Sequence, residues 1–475
     1  MARKILLAFL CVPMLALTGC GSAYKDQGWA PPRPLGAQGS GQRAPTTLPV
    51  SSRRLGFSEP QGVITLRQAL SAALVQSPEL ASFAYGVRSA EADVLQASLL
   101  PNPELGLEVE NFGGSKSVKK FDAAESTVSL SQLIELGGKR SKRTRAAQLA
   151  TGLAGWDYET KRMDVLTDVA RRFVDVAAAQ RRLELAQQNV DLSDKVLSTV
   201  TERVQAGKVS PVEQTKARVL LLAGRAALGK TRGQLASARQ QLAATWGSPK
   251  AQFESVNADL ETLAPVPAKE ALFARVAQNP DLARWTTELN RRRADIAVAK
   301  SRSIPDLTVA AGARRFSEDG DVGAVMGVSI PIPIFNQNQG EIRKSRMEML
   351  KALADQRAAQ TRIFSALEVA YQDLSTAHNT AIVLRDEVLP GAESAFSITN
   401  ISYTEGKLPY IEVLDAQRTL YEARGQYTDA LIEYHKAVAD VERLIGERLV
   451  GQGVDTIVET QASTKEAATQ KSQEK

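Results

Sequence analysis

Histidine and cysteine are nearly absent: the 475-residue chain holds two of each. His378 and His435 lie far apart in segments that read as helical, and no His, Cys, Asp or Glu spacing matches a zinc or copper site. They are expected to be solvated or packed residues. The chain also lacks a nucleophile–base set, a phosphate loop and a dinucleotide fingerprint. Gly137-Gly138-Lys139-Arg140 has no Walker spacing and reads as a corner between a strand and a helix. Aromatics make up 5% of residues, and Phe112, Trp156, Tyr158 and Trp285 are too scattered to form a girdle. Charge is mixed: 59 Lys and Arg against 53 Asp and Glu give +6, falling to +4 without Arg3 and Lys4. Cations and acids are interleaved, so a nucleic-acid partner is not expected. Beyond the first twenty residues no apolar run is long enough for a membrane helix.

The beginning of the chain is different. Arg3 and Lys4 precede an apolar run from Ile5 to Leu15, and Leu17-Thr18-Gly19-Cys20 follows as a lipobox. Residues 1–19 are read as a lipoprotein signal, and Cys20 as the lipid-bearing first residue of the mature chain. Gly21 follows, not an aspartate that would hold the protein at the inner membrane, so the outer membrane is expected. Cys11 would leave with the signal. No disulfide could then form, and stability must come from packing and assembly. Residues 20–62 are rich in Gly, Pro, Ser and Gln and read as a lipidated, flexible tether. Residues 450–475 read as a disordered tail.

Between these ends the chain contains itself twice. Ser77-Pro78-Glu79-Leu80 leads to Pro103-Glu104-Leu105, and Asn279-Pro280-Asp281-Leu282 leads in the same way to Pro305-Asp306-Leu307. Ala206-Gly207-Lys208-Val209-Ser210-Pro211-Val212-Glu213 is echoed by Glu405-Gly406-Lys407-Leu408-Pro409-Tyr410-Ile411-Glu412. Residues 63–250 and 267–449 are thus read as two structural repeats, joined by a linker at 251–266. A period this long is a duplicated unit and not a small-repeat solenoid.

Each unit reads as helix, hairpin, then two long helices. Proline is missing from Glu104 to Ser210, from Val212 to Ser248 and after Pro409. Pro211 and Pro409 stand where new helices begin, and Gly207 and Gly406 where the preceding ones stop. A helix from Lys139 to Ala206 would be roughly 100 Å long. Val169, Val176, Leu183, Val190, Leu197 and Val204 recur at sevens, as do Leu367, Leu374, Ala381, Val388 and Ala395 in the second unit. These are coiled-coil seams of core residues, and Pro390 should kink the second helix. Trp246-Gly247 and Ile445-Gly446 read as helix stops.

Short alternating runs precede both long helices: Leu105, Leu107 and Val109, then Val128 and Leu130; and Leu307, Val309, Ala311 and Ala313, then Ala324, Met326, Val328, Ile330 and Ile332. Each has about the length of a tilted membrane strand and is apolar on one face only. In a membrane such hairpins must join a closed barrel, because open edges cannot face lipid. Four strands are too few for one chain, so the barrel would be shared between chains. The alternative is a small soluble sheet.

The two repeats and the lipobox resemble the bacterial outer-membrane factor (TolC-like) family over residues 63–449. Pro101-Asn102-Pro103-Glu104-Leu105, the run Ser131-Gln132-Leu133-Ile134-Glu135-Leu136-Gly137-Gly138-Lys139-Arg140, and the run from Gly327-Val328-Ser329-Ile330-Pro331 to Asn336-Gln337-Asn338-Gln339-Gly340 are similar to its cobalt-zinc-cadmium (CzcC-type) branch. The resemblance implies a mainly α fold with a small β part. It implies a homotrimer whose α-helical periplasmic tunnel continues into a shared twelve-stranded barrel in outer-membrane lipid. Such a trimer is the exit duct of a tripartite pump, with a periplasmic adaptor and an inner-membrane transporter of the resistance-nodulation-division type, exporting heavy-metal cations or other toxic compounds. No catalysis, cofactor or bound metal is implied. The hairpin tips Gly207, Lys208, Gly406 and Lys407 would meet adaptor or pump. Tyr403 would help close the tip. Glu412 and Asp415, three apart on one helix face, would form a carboxylate ring at the periplasmic mouth. The plainer reading of these two acids is a favourable charge near a helix N-terminus. Leu408 departs from the basic gate residue of the family. The competing function is a structural coiled-coil lipoprotein of the periplasm without channel activity.

Mass spectrometry of the mature protein is expected to find acylated Cys20 at the N-terminus. An unmodified terminus at another residue would refute the lipobox.

Overall fold

The structure is a computed structural model and describes residues 59–449. The signal, Cys20, most of the tether and the tail lie outside the described residues. Strand β1 (Gly62–Ile64) leads into helices α1 (Leu66–Gln76) and α2 (Pro78–Ser98). Thr65 and Gln68 form a reciprocal capping box at the start of α1. A hairpin follows, β2 (Glu104–Glu110) and β3 (Glu125–Ile134), then α3 (Lys139–Gln205), α4 (Pro211–Ala244) and β4 (Phe253–Val256). The second unit repeats the plan: α5 (Lys269–Arg275), α6 (Pro280–Ser301), β5 (Leu307–Phe316), β6 (Val322–Ser329), α7 (Gln339–Val383), a π turn (Leu384–Val388), α8 (Leu389–Thr404) and α9 (Tyr410–Ile445). Prolines at the first or second position open α2, α4, α6 and α8.

β1 and β4 pair in parallel, so part of the expected linker is a strand returning to the end of the tether. The rest of that segment is fastened to α9 by three rings. Tyr427 donates to Glu261 at 2.6 Å, the Tyr434 hydroxyl meets Ala264 N and O at 3.1 Å, and His435 Nε2 lies 3.0 Å from the Leu260 carbonyl. His435 is therefore a packed residue, 4% exposed, and its burial pulls its pKa below the usual histidine range.

The two hairpins form one four-stranded antiparallel sheet in the order β2-β3-β5-β6. Its register places Leu107, Val128, Ala313 and Ala324 in one cross-strand row, and Leu105, Leu130, Ala311 and Met326 in the next. These share a face, because side chains alternate along a strand. Leu107 is 74% and Met326 83% exposed. The opposite face carries Glu104, Glu108, Thr127 and Ser129. There Arg314 joins three strands, at 3.0 Å to Glu110 and 2.7 Å to Glu125. Gly312 lets β5 and β3 close up, since a Cβ there would strike the Val128 carbonyl. Ile330 and Ile332 fall beyond the end of β6, contrary to expectation. Pro331 and Pro333 lack the N–H that a ladder needs. At the corner, Asp306 pairs with Lys139 at 2.7 Å and accepts from Leu136 N at 3.0 Å.

α3 is one uninterrupted helix of 67 residues, about 100 Å at 1.5 Å per residue. α9 lies against it, antiparallel, with ion pairs along the contact: Arg182–Asp429 (2.6 Å), Lys436–Asp175 (2.5 Å), Arg171–Asp440 (2.9 Å) and Arg443–Asp164 (2.7 Å). A step of seven down α3, from Arg182 to Asp175, matches seven up α9, from Asp429 to Lys436. Partly exposed pairs of this kind contribute a fraction of a kcal/mol each, so they set register more than stability. Burial supplies the stability. Val169, Phe173 and Val176 are fully enclosed with Leu242, Phe253 and Leu431; Leu367, Leu374, Tyr434, Val441 and Ile445 form the matching core of the second unit.

The second heptad seam departs from expectation. Leu367, Leu374 and Ala381 are fully buried, but Val388 is 39% exposed and Ala395 is also exposed. The π turn accounts for this. Val169, Val176 and Leu183 match Leu367, Leu374 and Ala381 at an offset of 198; Val190, Leu197 and Val204 match Leu389, Phe396 and Tyr403 at 199. Over this stretch the second unit holds one residue more, and the wide turn at Leu384–Val388 absorbs it. The seam then runs through Leu389, Phe396 and Tyr403, which face the core. Pro390, lacking an N–H, sits directly after the wide turn.

Deleting exposed Asp386 should turn α8 by about 100° relative to the core. It should cost several kcal/mol in thermal unfolding, whereas Asp386→Ala should stay within about 0.5 kcal/mol. Equal unfolding temperatures for wild type and deletion would show that the extra residue does not set the seam.

Candidate functional site

The hairpin tips of the two units meet. α3 and α8 both stop in left-handed glycines, Gly207 at φ +67° and Gly406 at φ +81°. In each, the glycine N–H and the next N–H bond back into the last turn: Gly207 N to Val204 O and Lys208 N to Arg203 O at 2.9 Å, Gly406 N to Tyr403 O at 2.9 Å and Lys407 N to Ser402 O at 2.8 Å. This is the Schellman arrangement, and it reverses the chain within a few residues. Ser210 caps α4 through a 3.3 Å bond to Val212 N, while α9 starts after Pro409 without a side-chain cap.

Between the tips lies a small closed core of Val196, Val200, Ala217, Tyr403, Tyr410 and Val413. Tyr403 is 2% exposed and joins the two units. Its hydroxyl donates to Glu213 at 3.3 Å, its ring packs 5.6 Å from Tyr410, and the Arg203 guanidinium lies over it at 4.3 Å. Arg203 also donates to the Tyr403 carbonyl. Burial, and then the Glu213 carboxylate, push the Tyr403 hydroxyl up to about 12, and burial beside Tyr403 does the same for Tyr410. Behind this latch, buried Gln417 donates to Ser193 at 3.0 Å, again from the second unit to the first.

Glu412 and Asp415 stand apart from this core. Both are exposed, on the first two turns of α9. Arg418, one turn further, is held by Glu422 at 2.7 Å. Lys407 pairs with Glu405 at 2.6 Å, and Gly207, Lys208 and Gly406 are exposed at the ends of the hairpins. The structure thus places all the anticipated tip residues at one end of the helices. It internalises Tyr403 and leaves the two acids outside. Above the tip a cavity of about 610 Å³ opens between α3, α4 and α9, lined by Val219, Leu220, Gly224, Leu414 and Tyr421 among others.

Arg203 and Glu213 escaped sequence reasoning. A signal existed: Glu213 is the repeat counterpart of Glu412, and Arg203 lies in the last turn before Gly207. Among the described residues no group of three His, Cys, Asp or Glu could hold a metal ion, and no helix is long and apolar enough to cross a membrane.

Comparison with known proteins fits this geometry. The chain belongs to the outer membrane efflux protein family, whose model matches residues 69–248 and 274–447, one span in each repeat. It is 38% identical over 388 residues to the cobalt-zinc-cadmium resistance protein CzcC of Cupriavidus metallidurans, covering 82% of this chain and 91% of that one. It is 27% identical to the nickel and cobalt resistance protein CnrC of the same organism, over 65% of this chain and 73% of the relative. Among solved structures it shares its fold with CusC, at TM-score 0.68 and 17% identity over 86% of this chain and 98% of that one. The outer membrane protein VceC of Vibrio cholerae gives TM-score 0.68 and 16% identity over 81% and 96%.

A double-mutant cycle of Tyr403→Phe and Glu213→Gln should show coupling of about 1 kcal/mol in thermal stability. The hydroxyl ionises near 10 when unfolded and near 12 in the fold, so its contribution should be complete below pH 10 and vanish as pH rises through about 12. Zero coupling would reduce the contact to coincidence.

Proposed function

We propose that three copies of this chain form the outer-membrane exit duct of a tripartite efflux system. The observation that carries the reading is the four-stranded sheet, apolar on one face, with β2 and β6 as unpaired edges. Open edges are untenable in lipid, and a single sheet of four strands falls short of the smallest barrels. Three such sheets, joined edge to edge, make twelve strands. The long helices of the three repeat pairs would then line a periplasmic tunnel, with Cys20 anchoring each chain in the inner leaflet by its lipid.

The tips form the periplasmic end of this duct. A periplasmic adaptor docks along the apolar cavity between α4 and α9, and the exposed tip residues Gly207, Lys208, Gly406 and Lys407 meet adaptor or inner-membrane transporter of the resistance-nodulation-division type. The names of the relatives point to heavy-metal cations as cargo. Glu412 and Asp415, free of the latch, line the mouth. Three copies supply six carboxylates around a narrow mouth, and such a ring attracts cations. The Tyr403–Glu213–Arg203 contacts hold the two tips of each protomer together behind that ring.

The test is conduction by purified trimer in a planar bilayer. Wild type should prefer cations and be blocked from the periplasmic side by divalent or trivalent cations. Glu412→Ala with Asp415→Ala should weaken preference and block together while trimer stability barely changes. A helix-dipole role predicts the reverse: a stability loss of about 0.3–1 kcal/mol with unaltered selectivity. A protein that yields neither conductance nor a detergent-resistant trimer would instead be the structural lipoprotein.

A further inference from the structure

The two hairpin loops at the far end of the sheet carry opposite charge. The β2–β3 loop holds Lys116, Lys119 and Lys120 against Asp122; the β5–β6 loop holds Glu318, Asp319 and Asp321 with no cation. All seven are exposed. Among the described residues, no ion pair joins the three lysines to any carboxylate or the three acids of the second loop to any cation, although Arg314 just beneath is paired twice.

The basic loop is built, not loose. Phe112 and Phe121 stack across it at 5.4 Å and 4°. Gly113 N donates to Lys120 O at 2.8 Å and Gly114 N to Val118 O at 2.9 Å. Lys116 and Lys120 sit at φ +55° and +52°, a conformation that costs a lysine where glycine or asparagine would be free of strain. Ser317 N donates to Ala124 O at 2.9 Å, so the two loops rise from a common base.

We propose that the outer rim is fastened by a charge lock between copies, in which the lysine loop of one chain is held by the acidic loop of the next. This rests on the barrel reading. With the sheet order β2-β3-β5-β6, joining the β6 edge of one copy to the β2 edge of the next sets that acidic loop beside the neighbour's lysine loop. The rim then alternates in sign through six loops. Strand spacing of about 4.8 Å puts each lysine loop about 10 Å from an acidic loop on either side, the one in its own chain, which it does not pair with, and the one in the next copy. That distance is within the reach of paired long side chains and close to the Debye length of about 8 Å at physiological ionic strength. The partner is a second copy of this chain, identified by charge complementarity and by the two unpaired edges.

Cysteine cross-linking tests it in outer-membrane preparations of the full chain. Lys119→Cys combined with Asp319→Cys, with each single variant as control, should give chain dimers and trimers on denaturing gels. The yield should fall several-fold in about 1 M salt, where the Debye length is about 3 Å. Adding Lys116→Glu and Lys120→Glu should lower it as much, and adding Glu318→Lys and Asp321→Lys to those should restore it. A detergent-resistant trimer with no inter-chain cross-link overturns the lock and leaves the duct intact. So does a yield that ignores salt and charge reversal. Loss of binding to anionic lipid vesicles on lysine reversal, without rescue by the swap, overturns it in favour of a lipid partner. Absence of any trimer removes the duct reading and the lock with it.

Discussion

The packing of α9 against α3 is the constraint from which the rest of the structure follows. These helices belong to different repeats, and neither unit encloses its own long helices completely. α3 shares one core with α1, α2, β4, α4 and α9, and ends beside Tyr403. Because the two helices run antiparallel with matched ion-pair steps, residues at their ends arrive in fixed register. At one end this sets the tip of one hairpin against the tip of the other. Beyond the end of α9, α3 packs instead on α6, Trp156 Nε1 donating to Thr287 and Thr160 to Asp281 at 3.1 Å each, and there β3 lies beside β5 so that the two hairpins become a single sheet.

Much of this was legible in the sequence because duplication writes itself twice. Proline gaps, the Gly-Lys tips and the alternating runs each appear at matching places, and one copy guards against misreading the other. The tip glycines were visible because only a left-handed residue can end a helix so abruptly. What was hidden depended on tertiary contact. β1 and β4 are too short to show alternation and exist because they pair with each other across the whole first repeat. The three aromatic tethers from α9 look like ordinary helix residues until the strap lies over them.

The π turn shows a different limit. A heptad pattern carries register forward on the assumption of a constant turn, so Val388 and Ala395 looked like core. Side-by-side comparison of the repeats would have exposed the single extra residue, since the offset changes from 198 to 199 between Ala381 and Leu389. Periodicity within one copy could not. Helices place insertions where a wide turn can be accommodated, and such turns are frequent at functional positions. Here the consequence is concrete: without it Tyr403 would not face Glu213.

The tips also show how duplication separates structural and functional demands on one residue type. Glu213 and Glu412 are repeat counterparts, each in the first turn of the helix after its tip, where a carboxylate favours the helix dipole. In the first unit that carboxylate is partly buried and accepts from a tyrosine of the second unit. In the second unit it is exposed, beside Asp415. The tyrosine decides the difference. Tyr403 fills the space between the hairpins from the α8 side, whereas its counterpart Val204 can accept or donate nothing. A latch thus needs only one of the two glutamates, and the other is left free to present its charge outward.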